Sequence, residues 1–258
     1  MTKSLRISPS AINTFFKCSM QYKWNVIDEL EPDPGTDNLY AVLGSTLHKA
    51  SELQDKFNIP FTELKTAWKI LFLNFMTESK NLDQDCNYEK FLSRGYDLLK
   101  NLVELKKKWI NKVKVLSVEK YHRIPYKNPF INDICLSGKI DVSLKSLEDE
   151  MFTALDWKSS KNENIFIDDD LQMSFYIYFI HIFYKVDFDK IFGALAYPAN
   201  LHINFTQRTE EDLQEKMFKK IDLMLERISK DDFKKEPKIG MNLNDCTFCP
   251  FIKSCGKL

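Results

Sequence analysis

Two segments decide the fold of this 258-residue chain: Leu136-Ser-Gly-Lys-Ile-Asp141-Val-Ser-Leu144 and Phe152-Thr-Ala-Leu-Asp156-Trp-Lys158. Each is largely apolar, as a β-strand is, but is interrupted by a carboxylate. Side chains two apart in a strand share a face, so Asp156 and Lys158 project together, and a neighbouring strand can bring Asp141 beside them. Adjacent carboxylates repel unless a positive charge lies between them, and a divalent cation with oxygen ligands is the usual solution. The segments therefore predict a metal site, with Lys158 as a fixed positive charge beside it.

Further polar residues occur before and after these segments. Asp168-Asp-Asp-Leu-Gln172-Met-Ser-Phe-Tyr176 has the aspartates of a helix start, and its Gln172 and Tyr176, four residues apart, share a face. Upstream, Leu43-Gly44-Ser-Thr-Leu-His48 places a histidine in a predicted helix. Taken alone, each feature also fits an ordinary role: a surface ion pair on an edge strand, a polar helical stripe, and a histidine in the core or at the surface.

Hydrophobic periodicity predicts a helical section followed by a sheet. The predicted fold class is α/β (α+β), with a central mixed sheet and flanking helices in one domain, 1–258. Its parts are a mostly helical section (1–112), a mixed-sheet core (113–207) and a helical, cysteine-bearing segment (208–258). Helices are predicted at about 8–18, 39–57, 61–76, 88–110, 170–185 and 209–228, and strands at about 113–121, 131–144, 151–157, 191–197 and 201–205.

Composition indicates a folded protein with no overall electrostatic attraction to nucleic acid. Hydrophobic residues make up 44% of the chain, and 37 Lys and Arg balance 37 Asp and Glu. A DNA-binding surface must then be local. The densest basic run, Lys106-Lys107-Lys108 with Lys112 and Lys114, fits such a surface and equally fits a solvated helix face. The start of the sequence lacks the apolar core of a signal peptide and no segment is long enough to cross a membrane, so we expect a cytoplasmic protein.

Three cysteines are clustered in the last part of the sequence. Cys246, Cys249 and Cys255 have the spacing C-x2-C-x5-C, which indicates thiolate ligands in a reducing compartment and leaves a four-coordinate site one ligand short. Cys18 is the natural fourth ligand, because Cys86 and Cys135 fall inside other elements. Zinc and a [4Fe-4S] cluster both accept four thiolates, and spacing alone does not separate them. Unrelated reduced cysteines are the remaining alternative.

The order His, Gly-x-x-Asp, Asp-x-Lys, Gln-x-x-x-Tyr resembles the RecB-like branch of the PD-(D/E)XK nucleases. The Ser-x-Ser-x-Ile-x-x-Phe-x-x-Cys start at Ser8, combined with the late cysteines, is similar to AddB-type and CRISPR-associated exonucleases that carry an iron-sulfur cluster. The resemblance implies a [4Fe-4S] cluster rather than zinc on Cys18, Cys246, Cys249 and Cys255. Such a cluster would join the two ends of the domain.

The resemblance also implies roles for the polar residues. His48, Asp141, Asp156 and the backbone carbonyl of Trp157 would bind Mg²⁺ or Mn²⁺. Lys158 would orient the attacking water or stabilise the phosphate. Gln172 and Tyr176 would position the substrate. Glu119, in the first strand, either supports the metal ligands or is an exposed strand charge.

These expectations lead to a metal-dependent DNA exonuclease that acts on single strands or DNA ends. The alternative is a non-catalytic DNA-binding or assembly module on the same fold, with a structural zinc or iron-sulfur site. No Gly-x-x-x-x-Gly-Lys-[Ser/Thr] motif occurs, so ATP-driven unwinding would require a helicase partner. The chain fits a free-standing enzyme or a subunit of a recombination or CRISPR-adaptation machine.

Overall fold

A six-stranded mixed sheet flanked by helices forms the centre of the protein, which confirms the predicted fold class. The structure is a computed structural model and describes residues 4–33, 39–57, 59–79, 88–162, 167–235, 246 and 249–256. Cys86 lies outside the described residues. The strands are β1 (Leu5–Ile7), β2 (Val113–Tyr126), β3 (Ile134–Ser146), β4 (Phe152–Trp157), β5 (Ile191–Tyr197) and β6 (His202–Thr206).

Strand β3 organises the sheet. It pairs antiparallel with β2 along one edge; on its other edge β1 runs parallel to its start and β4 antiparallel to its end. Strand β4 is parallel to β5, and β5 is antiparallel to β6. The pairing of Val142 with Leu155 places Asp141 and Asp156 at the next position along these two strands. The register therefore brings the two predicted carboxylates side by side.

The helices follow the predicted pattern, with two interruptions. We number them α1 (Pro9–Lys17), α2 (Ser19–Tyr22), α3 (Leu39–Phe57), α4 (Phe61–Glu78), α5 (Tyr88–Lys107), α6 (Leu171–Tyr184), α7 (Glu210–Leu213), α8 (Lys219–Ser229) and α9 (Ile252–Cys255). Five-residue π-helical segments follow α2 (Lys23–Ile27) and separate α7 from α8 (Gln214–Phe218), so the long helix predicted at 209–228 is interrupted. None of the described helices combines the length and apolarity needed to cross a membrane.

Two hydrophobic clusters cover opposite faces of the sheet. One packs α1, α6 and α8 on it, and the other packs α3, α4 and α5 on it. Strand β4 shows the alternation, because Ala154 belongs to the first cluster whereas Leu155 and Trp157 belong to the second. The helical section predicted from the sequence is thus the layer that covers one face and carries His48.

The basic run at the end of α5 is not a uniformly exposed surface. Lys106 is only 4% exposed, and its Nζ lies 2.6 Å from Asp55 Oδ1 and 3.0 Å from Ser51 Oγ, both on α3. Lys107 is exposed and pairs with Glu104. The prediction of a DNA-binding or solvated face is therefore wrong for Lys106, because α3 packs over it.

A buried, uncharged histidine lies between β2 and α6. His122 is 1% exposed and its ring contacts the rings of Phe179 and Phe183. Neither ring nitrogen has a hydrogen-bond partner among the described residues. Burial, assisted by the charge of Lys120, lowers the pKa of His122 to about 4.

This histidine makes stability depend on pH. In the unfolded chain the pKa of His122 is about 6.5. Between pH 6.5 and 4 the unfolded state therefore binds a proton at this residue and the folded state does not. The free energy of unfolding consequently falls as pH falls. We expect His122 to lower the free energy of unfolding by about 2 kcal/mol between pH 7.5 and 5. The variant His122→Phe should lack this contribution to the pH dependence. Urea unfolding of both proteins at the two pH values measures it. Identical pH dependence in the two proteins would contradict the prediction.

Candidate metal centre

The backbone of β4 fixes Asp141 in place. The Trp157 amide N–H donates to Asp141 Oδ2 at 2.8 Å, across the ladder between β3 and β4. Both carboxylates are buried, with Asp141 3% and Asp156 1% exposed. The ladder to β5 continues beyond β4, because the Lys158 amide donates to the Ala196 carbonyl at 2.8 Å. Two carboxylates that are this deeply buried need neighbouring positive charges or hydrogen-bond donors to stabilise their negative charge.

A close group of metal-ligating atoms among the described residues comes from three elements. His48 on α3, Glu119 on β2 and Asp141 on β3 each offer an atom within 4.8 Å of the others. His48 Nδ1 lies 3.0 Å from Asp141 Oδ2 and 3.6 Å from Glu119 Oε1. Burial works against protonation of His48, but its hydrogen bonds with Asp141 and Glu119 dominate and raise its pKa to about 10. A cation in this group would replace that proton, since histidine binds metals as neutral imidazole.

Glu119 has an unusual backbone for a strand residue. Its φ is 50°, in the left-handed region that non-glycine residues rarely adopt, at a cost of about 1–3 kcal/mol. The pairs on either side of it, Val118 with Val142 and Lys120 with Ile140, place it opposite Asp141. Its side chain is 9% exposed and forms ion pairs with His48 and Lys139. Glu119 is therefore not an exposed strand charge but part of the site.

Asp156 lies beside this group within a second network. Its Oδ2 is 2.6 Å from Lys158 Nζ, and its Oδ1 accepts a hydrogen bond from Gln172 Nε2 at 2.7 Å. Gln172 Oε1 accepts from Lys158 at 2.9 Å, and the Tyr176 hydroxyl donates to the Lys139 carbonyl at 2.6 Å. Burial and the charge of Asp141 raise the pKa of Asp156 to about 7, although Lys158 opposes the rise. The structure thus brings all these predicted residues to one place.

The glycine of the Gly-x-x-Asp motif permits the close approach of α6. A Cβ atom at Gly138 would lie 2.8 Å from Phe179 Cε2, closer than real Cβ contacts come. A side chain there would push α6 away from β3. Because Gln172 and Tyr176 are on the same helix, Gly138 helps to set their distance from Asp156.

A cavity of about 600 Å³ opens over the site. Helix α3 lines one wall, and Lys139, Gln172 and Tyr176 line another. Its polar lining is dominated by acidic side chains with lysines beside them, a set of oxygen donors that suits Mg²⁺ or Mn²⁺. The backbone carbonyl of Trp157 stays a predicted metal ligand. The contact between Trp157 and the site in this structure is the hydrogen bond from its amide to Asp141.

The four predicted cysteines line a separate small pocket. Cys18, Cys246, Cys249 and Cys255 come together beside Trp24. Burial raises the pKa of the Cys249 thiol, and the other three cysteines contribute to the rise. Cys135 is elsewhere, buried in β3 with its Sγ 3.0 Å from Arg123 Nε. Cysteine thiols are the kind of donor that a soft metal or an iron-sulfur cluster takes.

Hydrogen bonds also join the two ends of the chain beside this pocket. Asp33 accepts from the Lys253 amide at 2.8 Å, the Ser254 amide at 3.1 Å and the Ser254 hydroxyl at 2.6 Å. The Asp33 amide donates to the Pro250 carbonyl at 2.7 Å. Trp24 and Phe251 pack edge to face. The cysteine pocket therefore has a protein scaffold of its own.

Comparison with known proteins identifies the family. Among solved structures, the chain is similar to the crystal structure of SSO0001, with 10% identity, a TM-score of 0.45 and coverage of 99% of this chain and 88% of that one. A search of curated proteins gave no match. A sequence model of the PD-(D/E)XK nuclease superfamily matches residues 6–256. This range includes every residue of the metal centre and all four cysteines of the pocket, and the chain belongs to the PD-(D/E)XK nuclease superfamily.

Proposed function

We propose that this protein is a Mg²⁺- or Mn²⁺-dependent DNA exonuclease that hydrolyses single strands or DNA ends. The observation that carries the proposal is the convergence of His48, Glu119 and Asp141 within 4.8 Å, next to the buried Asp156–Lys158 pair. The alternative for Asp156 and Lys158, a surface ion pair on an edge strand, predicts an exposed carboxylate, as does an exposed strand charge at Glu119. Asp156 is buried instead, and the side chain of Glu119 is 9% exposed.

In this proposal one set of residues binds the cation and another set contacts the phosphate or the attacking water. His48, Glu119, Asp141 and Asp156 are the groups that would hold the metal, which when bound activates a water and offsets negative charge on the phosphate. Lys158 Nζ contacts Asp156 and Gln172, and in this proposal it would donate to that water or to a phosphate oxygen. Gln172 and Tyr176 form a hydrogen-bonded pair at 2.6 Å that keeps Lys158 oriented.

We also propose a structural [4Fe-4S] cluster on the four cysteines, with zinc as the alternative. A zinc ion with bonds of about 2.3 Å to sulfur would need sulfur atoms about 3.8 Å apart. Among the described residues, no three of these sulfur atoms lie within 4.8 Å of one another. What supports a cluster over zinc is the resemblance to iron-sulfur nucleases. Absorbance of the purified protein near 400 nm, with iron and sulfide analysis, tests it against zinc.

The nuclease assignment is tested with end-labelled DNA. Single-stranded and duplex substrates are incubated with wild type and Asp156→Ala in Mn²⁺, and with wild type in EDTA. We expect mononucleotides or short products only in the reaction of the wild type with Mn²⁺, and not in EDTA or with Asp156→Ala. Equal product from wild type and variant, or product from neither, would overturn the assignment. The second outcome, with DNA binding retained, would favour the alternative of a non-catalytic DNA-binding or assembly module.

A helicase or a recombination or CRISPR-adaptation protein is the kind of partner that the family resemblance suggests. Such a partner would supply unpaired strands to a nuclease that has no nucleotide-binding loop of its own. Co-purification with and without the Cys246-to-Cys255 segment would test whether this end of the chain takes part.

A further inference from the structure

A second cavity, of about 800 Å³, adjoins the metal centre on the side of α1 and α8. The two cavities share the side chains of Lys139, Gln172 and Tyr176 in their linings. These three residues therefore form a ridge between them. A chain-like substrate whose reacting group lies over His48 and Asp141 would continue across this ridge into the second cavity.

The free charges in the second cavity are positive. Arg6, on β1, and Lys220, on α8, are exposed, and neither pairs with a carboxylate among the described residues. The acidic residues of the lining are engaged: Asp169 lies 3.4 Å from Lys216 Nζ, and Asp170 accepts from the Met173 amide at the start of α6. The cavity therefore favours an anion over a cation, unlike the acidic cavity beside it.

An exposed aromatic ring completes the second cavity. Tyr121, on the edge strand β2, lines it and is 53% exposed. An unpaired base offers a flat face to such a ring, and stacking of this kind does not depend on sequence. A paired base inside a duplex does not offer that face. Phosphate-binding charges together with one stacking ring are the features of a single-strand binding groove.

We infer that the second cavity holds an unpaired segment of the nucleic acid next to the scissile phosphate, with phosphates on Arg6 and Lys220 and a base on Tyr121. The inference rests on the proposed function, because it extends the same substrate beyond the metal centre. It assigns three binding residues that the family motifs do not include, and it makes a single strand the preferred substrate.

Binding in EDTA tests the inference without cleavage. The probe is a fluorescein-labelled 12-nucleotide single strand, compared with its duplex by fluorescence anisotropy across a range of salt concentrations. We expect Arg6→Ala combined with Lys220→Ala to reduce the slope of log K against log salt by about 1.4, since each lost phosphate contact on a single strand contributes about 0.7. We expect Tyr121→Ala to weaken single-strand binding about tenfold and Tyr121→Phe to leave it unchanged.

Matched controls separate local from general effects. Lys219→Ala removes a lysine next to Lys220 that pairs with Glu215 instead of lining the cavity, and Phe205→Ala removes an exposed ring on the edge strand β6. Both controls should bind as wild type does. Thermal unfolding of each variant checks the fold, and Tyr121→Leu replaces Tyr121→Ala if the latter is unstable.

The outcomes distinguish this inference from the proposed function. If the wild type cleaves DNA in Mn²⁺ while the Arg6, Lys220 and Tyr121 variants bind like the controls, the groove is wrong and the nuclease assignment stands. If these variants lose binding but the wild type never cleaves, the groove stands and the nuclease assignment fails. Equal binding of duplex and single strand, with equal losses in Tyr121→Ala, would overturn the preference for an unpaired segment.

Discussion

Replacing Asp141 with asparagine is expected to lower DNA cleavage by about a thousandfold or more while leaving the fold intact. The reason is that Asp141 is the carboxylate shared by the ligand group: His48 lies 3.0 Å from it and Glu119 is in the same cluster. Removing this charge weakens metal binding, and metal chemistry supplies several kcal/mol of transition-state stabilisation at about 1.4 kcal/mol per tenfold in rate. The asparagine oxygen can still accept the Trp157 amide, so the strands stay paired.

The same variant should lose its thermal response to metal. A cation that binds only the folded state at 100 times its dissociation constant adds about 2.7 kcal/mol to stability. We therefore expect Mn²⁺ to raise the melting temperature of the wild type and not that of Asp141→Asn. Asp187→Asn, an exposed substitution of the same kind, is the control and should respond as wild type. An Asp141→Asn protein that keeps both the shift and cleavage within tenfold would rule out this ligand role.

Replacing Lys106 with methionine is expected to destabilise the fold by about 3–5 kcal/mol. Lys106 and Asp55 form a buried pair whose side chains are 5% and 3% exposed. Burial lowers the pKa of Lys106 and raises that of Asp55, so each charge depends on the other. Losing one partner leaves an uncompensated buried charge, which is costly, whereas replacing both with apolar residues is often neutral.

A double variant separates these two effects. Lys106→Met with Asp55→Leu should recover most of the stability lost by Lys106→Met alone, as measured by urea unfolding at pH 8. Relative to the wild type, Lys106→Met should lose less unfolding free energy at pH 5 than at pH 8, because protonation of Asp55 at lower pH removes its buried charge. Lys107→Met, next in sequence but exposed, should change stability by less than about 1 kcal/mol. A loss in the double variant as large as in the single one would mean that packing, not charge, is responsible.

Much of the sheet and of the site followed from local sequence patterns. Helix 39–57 and strand 191–197 were predicted with the observed bounds, because clear apolar periodicity and turn residues delimit them. The Gly-x-x-Asp and Asp-x-Lys segments predicted the neighbouring positions of Asp141 and Asp156, since strand register needs only alternation and adjacency. Helical spacing also predicted that Gln172 and Tyr176 share a face of α6, but the hydrogen bonds of Gln172 with Lys158 and Asp156 depend on how α6 packs on the sheet.

Other features depended on contacts that are distant in sequence. Strand β1 has three residues, too few for a periodic pattern, and is stabilised by β3 some 130 positions later. The position of Glu119 follows from a left-handed backbone that no local propensity favours. Lys106 stood in a basic run that looked solvated, and only the packing of α3 against α5 shows that it is buried.

The hydrogen bonds between Asp33 and the segment 250–255 have a consequence for synthesis on the ribosome. Every side chain of the candidate metal centre has been translated by Tyr176, whereas segment 250–255 is translated later. A growing chain thus holds the residues of that centre before this segment can reach Asp33. Because contacts between distant positions form slowly, docking of segment 250–255 on Asp33 is expected to be a late step of folding.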